Sequence, residues 1–269
     1  MQPPVVAIDG DSKTGKTSLG LSVALAIAKA QPGQQQHYLT HFDLDVGGYD
    51  RAKHRFTEAL TDGRLRSKSY FLPQQSVRDK VLGKQKQSHK LVGIMELWYD
   101  MLTDFVEACE DPLCDAVMFD SWPQVWNLCT MAYLQEKQQA NPARERLLEI
   151  EYGEPNARMR AIIYAAREAK KSLVLVSFLT EEYGKQLVDG AVKEVVIGQK
   201  PAGWKFTDKE MDVALRTTTE WVKNGKEKQL RPFAEVRLCG LALDATGTKF
   251  EGPSWEQFRS LIAALRGEG

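Results

Sequence analysis

A glycine-rich segment near the start of the chain has the residue types and spacing of a phosphate-binding loop. Residues 10–17 read GDSKTGKT, which fits the pattern G-x-x-x-x-G-K-[ST]. An apolar stretch, Val5–Ile8, precedes the segment, and a helical pattern follows from about Thr17 to Ala30. Such a loop wraps a phosphate with successive backbone N–H groups, and the positive end of the next helix points at the same phosphate. The segment therefore predicts a Walker A loop that binds ATP.

Individual positions of this loop have distinct expected tasks. We expect Lys16 to reach the β- and γ-phosphates and the hydroxyl of Thr17 to bind Mg²⁺. Glycine is needed where a side chain would block the phosphate or where the backbone takes a positive φ. The predicted nucleotide-binding residues are Gly10, Asp11, Ser12, Lys13, Thr14, Gly15, Lys16, Thr17 and Ser18.

A carboxylate suited to the metal follows a short apolar strand later in the chain. Residues 116–119 read AVMF and precede Asp120, which is the pattern of a Walker B strand. A buried parallel strand would hold this carboxylate at the carboxyl edge of the sheet, where Mg²⁺ binds. The alternative role for Asp120 is the N-cap of the next helix. We predict that Thr17 and Asp120 are the protein ligands of Mg²⁺.

The acid that activates water for hydrolysis has two candidates. The residue after the Walker B acid is Ser121, so the Asp-Glu pair of many AAA+ ATPases is missing. The strand predicted over Tyr38–Leu44 instead leads into Asp43 and Asp45, which would lie on the same side of a strand. Either is a candidate, and the alternative is two solvated acids at a strand end. The predicted catalytic set is Lys16, Asp43, Asp45 and Asp120.

The elements that must position these residues alternate between short apolar strands and helical patterns. Helices are predicted over Leu91–Ala108 and Glu145–Lys170, the second with a break at Gly153–Pro155. A strand over Leu173–Phe178 is expected beside the P-loop strand, where the hydroxyl of Ser177 would either sense the γ-phosphate or cap a turn. Short apolar strands separated by helices are typical of a parallel sheet covered on both faces.

The C-terminal part has a different pattern, which indicates antiparallel strands. Strands are predicted over Val192–Ile197 and Phe233–Leu243, and an S-x-x-Q capping box at Ser254 begins a last helix. We therefore expect one α/β domain over residues 1–269, with strands and a helix over 232–269 as an antiparallel extension.

The charge of the chain is balanced in sum and uneven in distribution. The 269 residues carry 36 Lys and Arg against 36 Asp and Glu, which argues against a uniformly basic nucleic-acid coat. Basic residues nevertheless gather over residues 50–90, a segment interpreted as an insertion or a mobile loop. Within it, 51–56 and 64–71 combine basic and aromatic residues, as grooves for single-stranded DNA do. A solvated basic face is the alternative.

Several other classes of protein are disfavoured. No apolar run approaches the ~20 residues of a membrane span, and the first residues lack the features of a secretory signal. The cysteines and histidines do not have the spacing of zinc ligands. The cysteines are therefore interpreted as free thiols in a reducing cytosol. The N-K-x-D motif of guanine recognition does not occur. We therefore expect a cytoplasmic protein that is not a GTPase.

The strings GDSKTGKTS, HFDLDVGG and AVMFDS, with LVLVSF after a further helix, resemble the RecA-like core ATPases. The likeness is greatest to the compact, phage-type family of RecA-core nucleotide-binding and single-strand-annealing proteins, and it spans roughly residues 5–245. In that family the second strand typically ends in D-x-E-G-G. Asp43, Asp45, Gly47 and Gly48 match this pattern with Asp in place of Glu.

Two further segments match the same family. Its Walker B strand ends in Asp-Ser, as residues 120–121 do, and its later segment is similar to PAG at 201–203 with Asp212. The resemblance implies a RecA-like P-loop NTPase fold, Mg²⁺-dependent ATP hydrolysis, assembly of identical subunits into a ring or filament, and contact with single-stranded DNA in recombination or annealing. The Asp at position 45 implies slow turnover.

Two other functions fit a P-loop. A kinase for a nucleotide or another small molecule would need a mobile lid that carries arginine. A nucleotide-dependent assembly protein would hydrolyse little ATP, consistent with Asp at position 45. The arginines available for a lid are Arg144, Arg146, Arg158 and Arg160, for which a solvated helix surface is the alternative.

Overall fold

The computed structural model describes residues 3–28, 36–45, 47–71, 91–188, 191–224 and 227–267. Among these residues, eight strands form one mainly parallel sheet and two strands form a separate antiparallel hairpin. The strands are β1 Val5–Gly10, β2 Tyr38–Asp43, β3 Leu65–Ser69, β4 Cys114–Asp120, β5 Ser172–Val176, β6 Leu179–Val188, β7 Ala191–Pro201, β8 Val213–Asn224, β9 Glu227–Cys239 and β10 Lys249–Glu251. The helices are α1 Lys16–Ile27, α2 Gly48–Ala52, α3 Thr57–Thr61, α4 Ile94–Glu110, α5 Trp122–Ala140, α6 Gly153–Glu168, α7 Thr207–Glu210 and α8 Trp255–Arg266.

The order of strands in the large sheet is β10-β9-β8-β1-β5-β4-β2-β3. Strands β8, β1, β5, β4, β2 and β3 are parallel, and β9 runs antiparallel to both β8 and β10. The expected α/β fold with an antiparallel extension is confirmed. Strand β5 lies beside β1, as predicted, so the ends of β1, β5, β4 and β2 meet at one carboxyl edge.

Helices cover both faces of the sheet, which explains why its inner strands are apolar throughout. In β4, Val117 and Phe119 face the cluster under α4, α5 and α6, while Ala116 and Met118 face the cluster under α1 and α8. A strand buried on both faces cannot alternate apolar and polar residues. No helix in the described part of the chain is both long and apolar enough to cross a bilayer.

Helix α6 corrects one prediction. It begins at Gly153, after a 3-10 turn at Glu149–Tyr152, and does not extend over Glu145–Lys170 with a break at Gly153–Pro155. Pro155 lies in the first helical turn, where a backbone N–H has no partner within the helix, so the proline causes no break.

The segment predicted as an insertion over residues 50–90 is part of the sheet in its first half. Strand β3 pairs in parallel with β2, with Leu65 opposite Leu39. The side chains of Ala52, Ala59 and Leu65 are buried against the sheet. Residues 50–71 therefore form short helices and a strand of the sheet and not a loop, and residues 72–90 lie outside the described residues.

The two hairpins extend the predicted C-terminal strands. The strand at Val192–Ile197 is confirmed within β7, but its partner β6 was missed because LTEEYGKQLV shows no alternation of apolar and polar residues. Strand β9 ends at Cys239, and Leu243 begins a 3-10 turn, so the predicted end at Leu243 is wrong. The capping box at Ser254 is confirmed at the start of α8.

Candidate functional site

A cleft of about 720 Å³ opens at the carboxyl edge of β1, β5 and β4. Seven of the nine predicted loop residues line it, together with residues from the ends of β2, β4 and β5. The structure thus brings the predicted Walker A and Walker B residues into one cavity. The lining residues with polar side chains are Asp11, Ser12, Lys13, Lys16, Thr17, Ser18, Asp45, Arg51, Arg55, Asp120, Ser121 and Ser177.

The other two loop residues, Gly10 and Thr14, support the loop from below. A Cβ on Gly10 would lie 2.5 Å from the carbonyl oxygen of Thr217, so only glycine fits there. The Thr14 hydroxyl donates to the carbonyl of Asp11 at 2.9 Å and lies 2.6 Å from Thr217 Oγ1. Strand β8 therefore backs the loop. Sequence reasoning missed Thr217, because no local motif marks it.

The backbone of the loop leaves the start of α1 open. Lys13 and Gly15 have φ values of 65° and 91°, in the left-handed region. Gly15 is the N-cap of α1 and supplies no side chain to bond the N–H groups of the first turn. These groups and the positive end of a 12-residue helix therefore face the cleft, which suits an anion.

The hydroxyl of the predicted Walker A loop and the carboxylate of the predicted Walker B strand form a hydrogen bond. Thr17 Oγ1 donates to Asp120 Oδ2 at 2.6 Å, although the two residues are 103 positions apart. Asp120 is 2% exposed, and the peptide bond that joins it to Ser121 is cis. Ser121 holds the N-cap position of α5, so the N-cap alternative for Asp120 does not apply.

The two candidate acids after β2 occupy different places. The strand ends at Asp43, so the prediction that Asp43 and Asp45 lie on the same side of a strand is wrong. Asp43 is 5% exposed and does not line the cleft, and its Oδ1 accepts the Asp45 N–H at 3.3 Å. Asp45 lines the cleft. A Cβ on Gly48 would lie 2.8 Å from Asp45 Oδ2 and 3.3 Å from Thr17 Oγ1. Both oxygens thus lie close to Gly48, which also lines the cleft.

Burial and neighbouring carboxylates raise the pKa values of Asp120 and Asp43, which favours their neutral form. Burial raises the pKa of Asp120 to about 7; the Thr17 hydrogen bond opposes this shift, and the charges of Asp45 and Asp43 add to it. Burial also raises the pKa of Asp43 to about 6. Burial lowers the pKa of Lys16, against the pull of Asp120 and other acids. A cleft with this charge distribution favours a cation beside its carboxylates.

We expect the Asp120→Asn variant to gain stability over the wild type as pH rises from about 4 to about 7, in the absence of Mg²⁺ and nucleotide. Because the pKa of Asp120 is near 3.8 unfolded and about 7 folded, the folded wild type holds a proton that the unfolded chain has released. The carboxyl therefore destabilises the fold increasingly up to about pH 7, and asparagine does not. Urea unfolding should give a gain on the order of 3 to 4 kcal/mol at the upper end.

The quantity to compare is the difference in unfolding free energy between variant and wild type, because other groups also change the stability with pH. Burial lowers the pKa of His41 to about 3, below its ordinary 6.5, so His41 adds stability with rising pH up to about 6.5. Asp43, with its pKa raised to about 6, acts in the same direction as Asp120. Both contributions cancel in the difference. A difference that does not change with pH would contradict the raised pKa of Asp120.

A buried hydroxyl in the cleft has no protein partner. Ser177 follows β5, is 2% exposed and lines the cleft, and its backbone N–H donates to the carbonyl of Ile8 at 2.9 Å. In the described ranges, the buried side-chain atoms without a hydrogen-bond partner are Ser177 Oγ and His41 Nε2. A buried hydroxyl is stabilised by a partner, and a ligand oxygen in the cleft would supply one.

Two arginines from the predicted DNA-binding stretch also line the cleft. These are Arg51 and Arg55, and the sequence analysis did not connect them with the nucleotide. Four other basic side chains in the described residues 51–71 contact groups outside the cleft. Lys53 pairs with Asp50, Arg64 with Asp62 and Glu58, and Lys68 with Asp104, while Arg66 lies 3.5 Å above the ring of Tyr38.

The arginines considered for a kinase lid lie away from the cleft. None of the four lines it, and three form ion pairs. The pairs are Arg144 with Glu151, Arg158 with Glu136 and Glu154, and Arg160 with Glu210. The structure therefore gives no support to a lid built from these residues.

A second cavity, of about 490 Å³, lies at the opposite edge of the sheet. Its walls include Trp255, Phe258 and Ile262 of α8, and neither of the two unpartnered buried atoms lies in them. The predicted nucleotide-binding, metal-binding and catalytic residues line the first cleft, except Gly10, Thr14 and Asp43, which lie next to it.

The donor atoms of the first cleft suit Mg²⁺ only in company with a phosphate. Within the described residues, no group of three or more His, Cys, Asp or Glu side chains is placed to hold a metal ion by itself. Magnesium typically takes one or two carboxylates and completes its shell with phosphate oxygens and water. The hard oxygens of Thr17 and Asp120 fit that use.

Comparison with known proteins adds no relative to this description. The chain matches no protein-family model and no curated protein.

Proposed function

We propose that this chain is a RecA-like P-loop NTPase that binds ATP with Mg²⁺ and hydrolyses it. The observation that carries the proposal is the 2.6 Å hydrogen bond from Thr17 Oγ1 to Asp120 Oδ2. A hydroxyl after the loop lysine and a carboxylate at the end of a buried strand are the two protein groups that hold Mg²⁺ in P-loop NTPases. Their contact across two separate motifs is what the sequence predicted for a working site.

The chain supplies groups for the phosphates as well. The N–H groups at the start of α1 and the amine of Lys16 face the cleft and would bind the β- and γ-phosphates. The buried hydroxyl of Ser177, which lines the cleft, would donate a hydrogen bond to a ligand oxygen. Bound Mg²⁺ would neutralise charge on the phosphate oxygens.

Of the two candidate acids, the geometry favours Asp45 as the group that accepts a proton from the attacking water. Asp45 lines the cleft, while Asp43 lies beneath it and accepts the backbone N–H of Asp45. Asp43 would then be a positioning residue that fixes the loop of Asp45. The carboxylate of Asp45 is one methylene shorter than the glutamate of the resembled family, which is consistent with slow turnover.

Replacing Asp45 by asparagine is expected to lower kcat for ATP hydrolysis roughly 100-fold with little change in KM, because the amide cannot accept the proton. Asp43→Asn should have a smaller effect, since its amide oxygen can still accept the Asp45 N–H. The measurement is steady-state phosphate release from Mg-ATP.

Three outcomes of this assay are distinguishable. If Asp45→Asn turns over like the wild type, the acid assignment is wrong. If the wild type binds Mg-ATP but releases no phosphate, the chain is a nucleotide-dependent assembly protein. If added glucose or nucleoside monophosphate takes up the phosphate, it is a kinase.

Single-stranded DNA and assembly into a ring or filament stay predictions from the resemblance. The ion pairs of Arg64 and Lys68 take up part of the basic charge that suggested DNA contact. The same phosphate-release assay, run with single-stranded DNA, tests that partner: a DNA-dependent ATPase would be stimulated by it.

A further inference from the structure

Two arginines that follow β2 line the cleft together with the Walker A loop. Arg51 lies in the last turn of α2, and Arg55 lies in the 3-10 turn that follows it. Residues four apart on a helical segment lie on one face, and both line the cleft together with Lys16 and Asp45.

Neither guanidinium is neutralised by a carboxylate. In the part of the chain that the structure describes, Arg51 and Arg55 form no ion pair, whereas Lys53 pairs with Asp50 at 2.7 Å and Arg64 with Asp62 at 2.7 Å. Two unpaired guanidinium groups beside a cleft suit an anion with several oxygens, because each fork can bind two of them.

The charge of the cleft depends on this pair. With every group ionised, four basic side chains face three acidic ones. Without the arginines the acids would outnumber the bases, which would oppose a triphosphate. The basic residues are Lys13, Lys16, Arg51 and Arg55, and the acidic ones are Asp11, Asp45 and Asp120.

The position of the arginines indicates which phosphate they meet. The side chain of Arg51 folds back over the loop that carries Asp45, with its Nη1 3.0 Å from the place a Cβ on Gly47 would take. Asp45, as the proposed base, must face the terminal phosphate. Arg51 is therefore placed to face that same group, and Arg55, four residues later, lines the same cleft. The loop N–H groups would hold the phosphates nearer the nucleoside.

We infer that Arg51 and Arg55 bind the terminal phosphate of the nucleotide bound by their own chain, so that the cleft distinguishes ATP from ADP. This inference rests on the proposed function and adds a specificity determinant to it. The terminal phosphate then contacts both the start of α1 and the arginines of α2 and the following 3-10 turn, and ADP leaves these arginines without that contact.

The test compares the dissociation constants of a non-hydrolysable ATP analogue and of ADP, both with Mg²⁺, by titration calorimetry. Each of Arg51→Gln and Arg55→Gln is expected to weaken binding of the ATP analogue about tenfold or more, because a charged hydrogen bond is lost. Binding of ADP should weaken by less than about twofold. Arg64→Gln is the matched control, since this arginine of the same segment pairs with acids off the cleft and should change neither constant.

The ratio of the two constants decides the question. An unchanged ratio in both variants, or an equal loss for both nucleotides, would overturn the inference. Arg51→Lys and Arg55→Lys keep the charge without the planar fork and should retain part of the preference, which guards against a misfolded glutamine variant.

Failure of the proposed function gives a different result. If the wild type binds neither nucleotide, the proposed function and this inference fall together. If the wild type binds both and the arginine variants keep its preference for the triphosphate, the inference alone is wrong.

Discussion

Replacing Lys16 by alanine is expected to abolish ATP hydrolysis, with a loss of roughly 100- to 1000-fold in kcat/KM. Lys16 Nζ now donates to the carbonyl of Asp11 across the loop at 2.5 Å, so its amine already points over the space that the loop surrounds. Burial lowers the pKa of Lys16, and the charges of Asp120, Asp11 and Asp45 counteract this. The amine lies among those carboxylates and would stabilise the negative charge that gathers on the transferred phosphate.

The fold of this variant should survive, because the side chain of Lys16 is only half-buried and makes no core contact. Lys228→Ala is the control, since Lys228 is an exposed lysine on β9 outside the cleft. We expect the control to hydrolyse ATP as the wild type does and both variants to unfold within about 0.5 kcal/mol of it. Wild-type turnover by Lys16→Ala would contradict the site.

The features of the site that could be predicted from the sequence are those determined by residues adjacent in the chain. The loop at residues 10–17 needs a glycine where the backbone approaches Thr217 and another, Gly15, where φ is 91°. Both demands are local, so the pattern of residue types records them. The end of β4 at Asp120 is encoded in the same way, by a strand that is apolar on both faces.

The parts that could not be predicted depend on contacts between distant segments. Thr217 supports Thr14 from 203 positions away because β8 pairs with β1, and β8 carries no motif that selects this neighbour. Arg51 and Arg55 show the same limit: a sequence displays charge but not the acids that neutralise it. It therefore groups these two arginines with Arg64, whose pairing with Asp62 separates them in function.

The assignment of the catalytic acid shows how a spacing rule can fail. The two-residue spacing of Asp43 and Asp45 predicts one side of a strand, but the strand stops at Asp43. The N–H groups of Leu44 and Asp45 both donate to the carbonyl of Asp120, at 2.5 Å and 3.1 Å. This turn ties the backbone of Asp45 to the end of β4, and Asp45 lines the cleft while Asp43 is buried. The competing hydrogen bonds come from β4, about 75 residues later, and sequence alone does not show them.

Replacing Asp120 by asparagine is expected to remove Mg²⁺-dependent hydrolysis, with a loss on the order of 100-fold or more in kcat. The amide oxygen can still accept the hydrogen bond from Thr17, so the contact of the two motifs and the fold should persist. The carboxylate charge that would hold the metal is lost. ATP affinity should therefore fall in the presence of Mg²⁺ and stay near the wild-type value in EDTA, as measured by nucleotide titration under both conditions.

This dependence on Mg²⁺ separates the two largest expected effects. Lys16→Ala removes a direct phosphate contact, so it should weaken ATP binding with or without Mg²⁺. Asp120→Asn should weaken ATP binding only when the metal is present. Asp115→Asn is the matched control, because Asp115 lies on the same strand at the other edge of the sheet, 2.9 Å from His37. If Asp120→Asn and the control bind Mg-ATP equally well, Asp120 does not hold the metal. If Asp120→Asn weakens ATP equally in EDTA, its carboxylate acts on the fold of the loop and not through Mg²⁺.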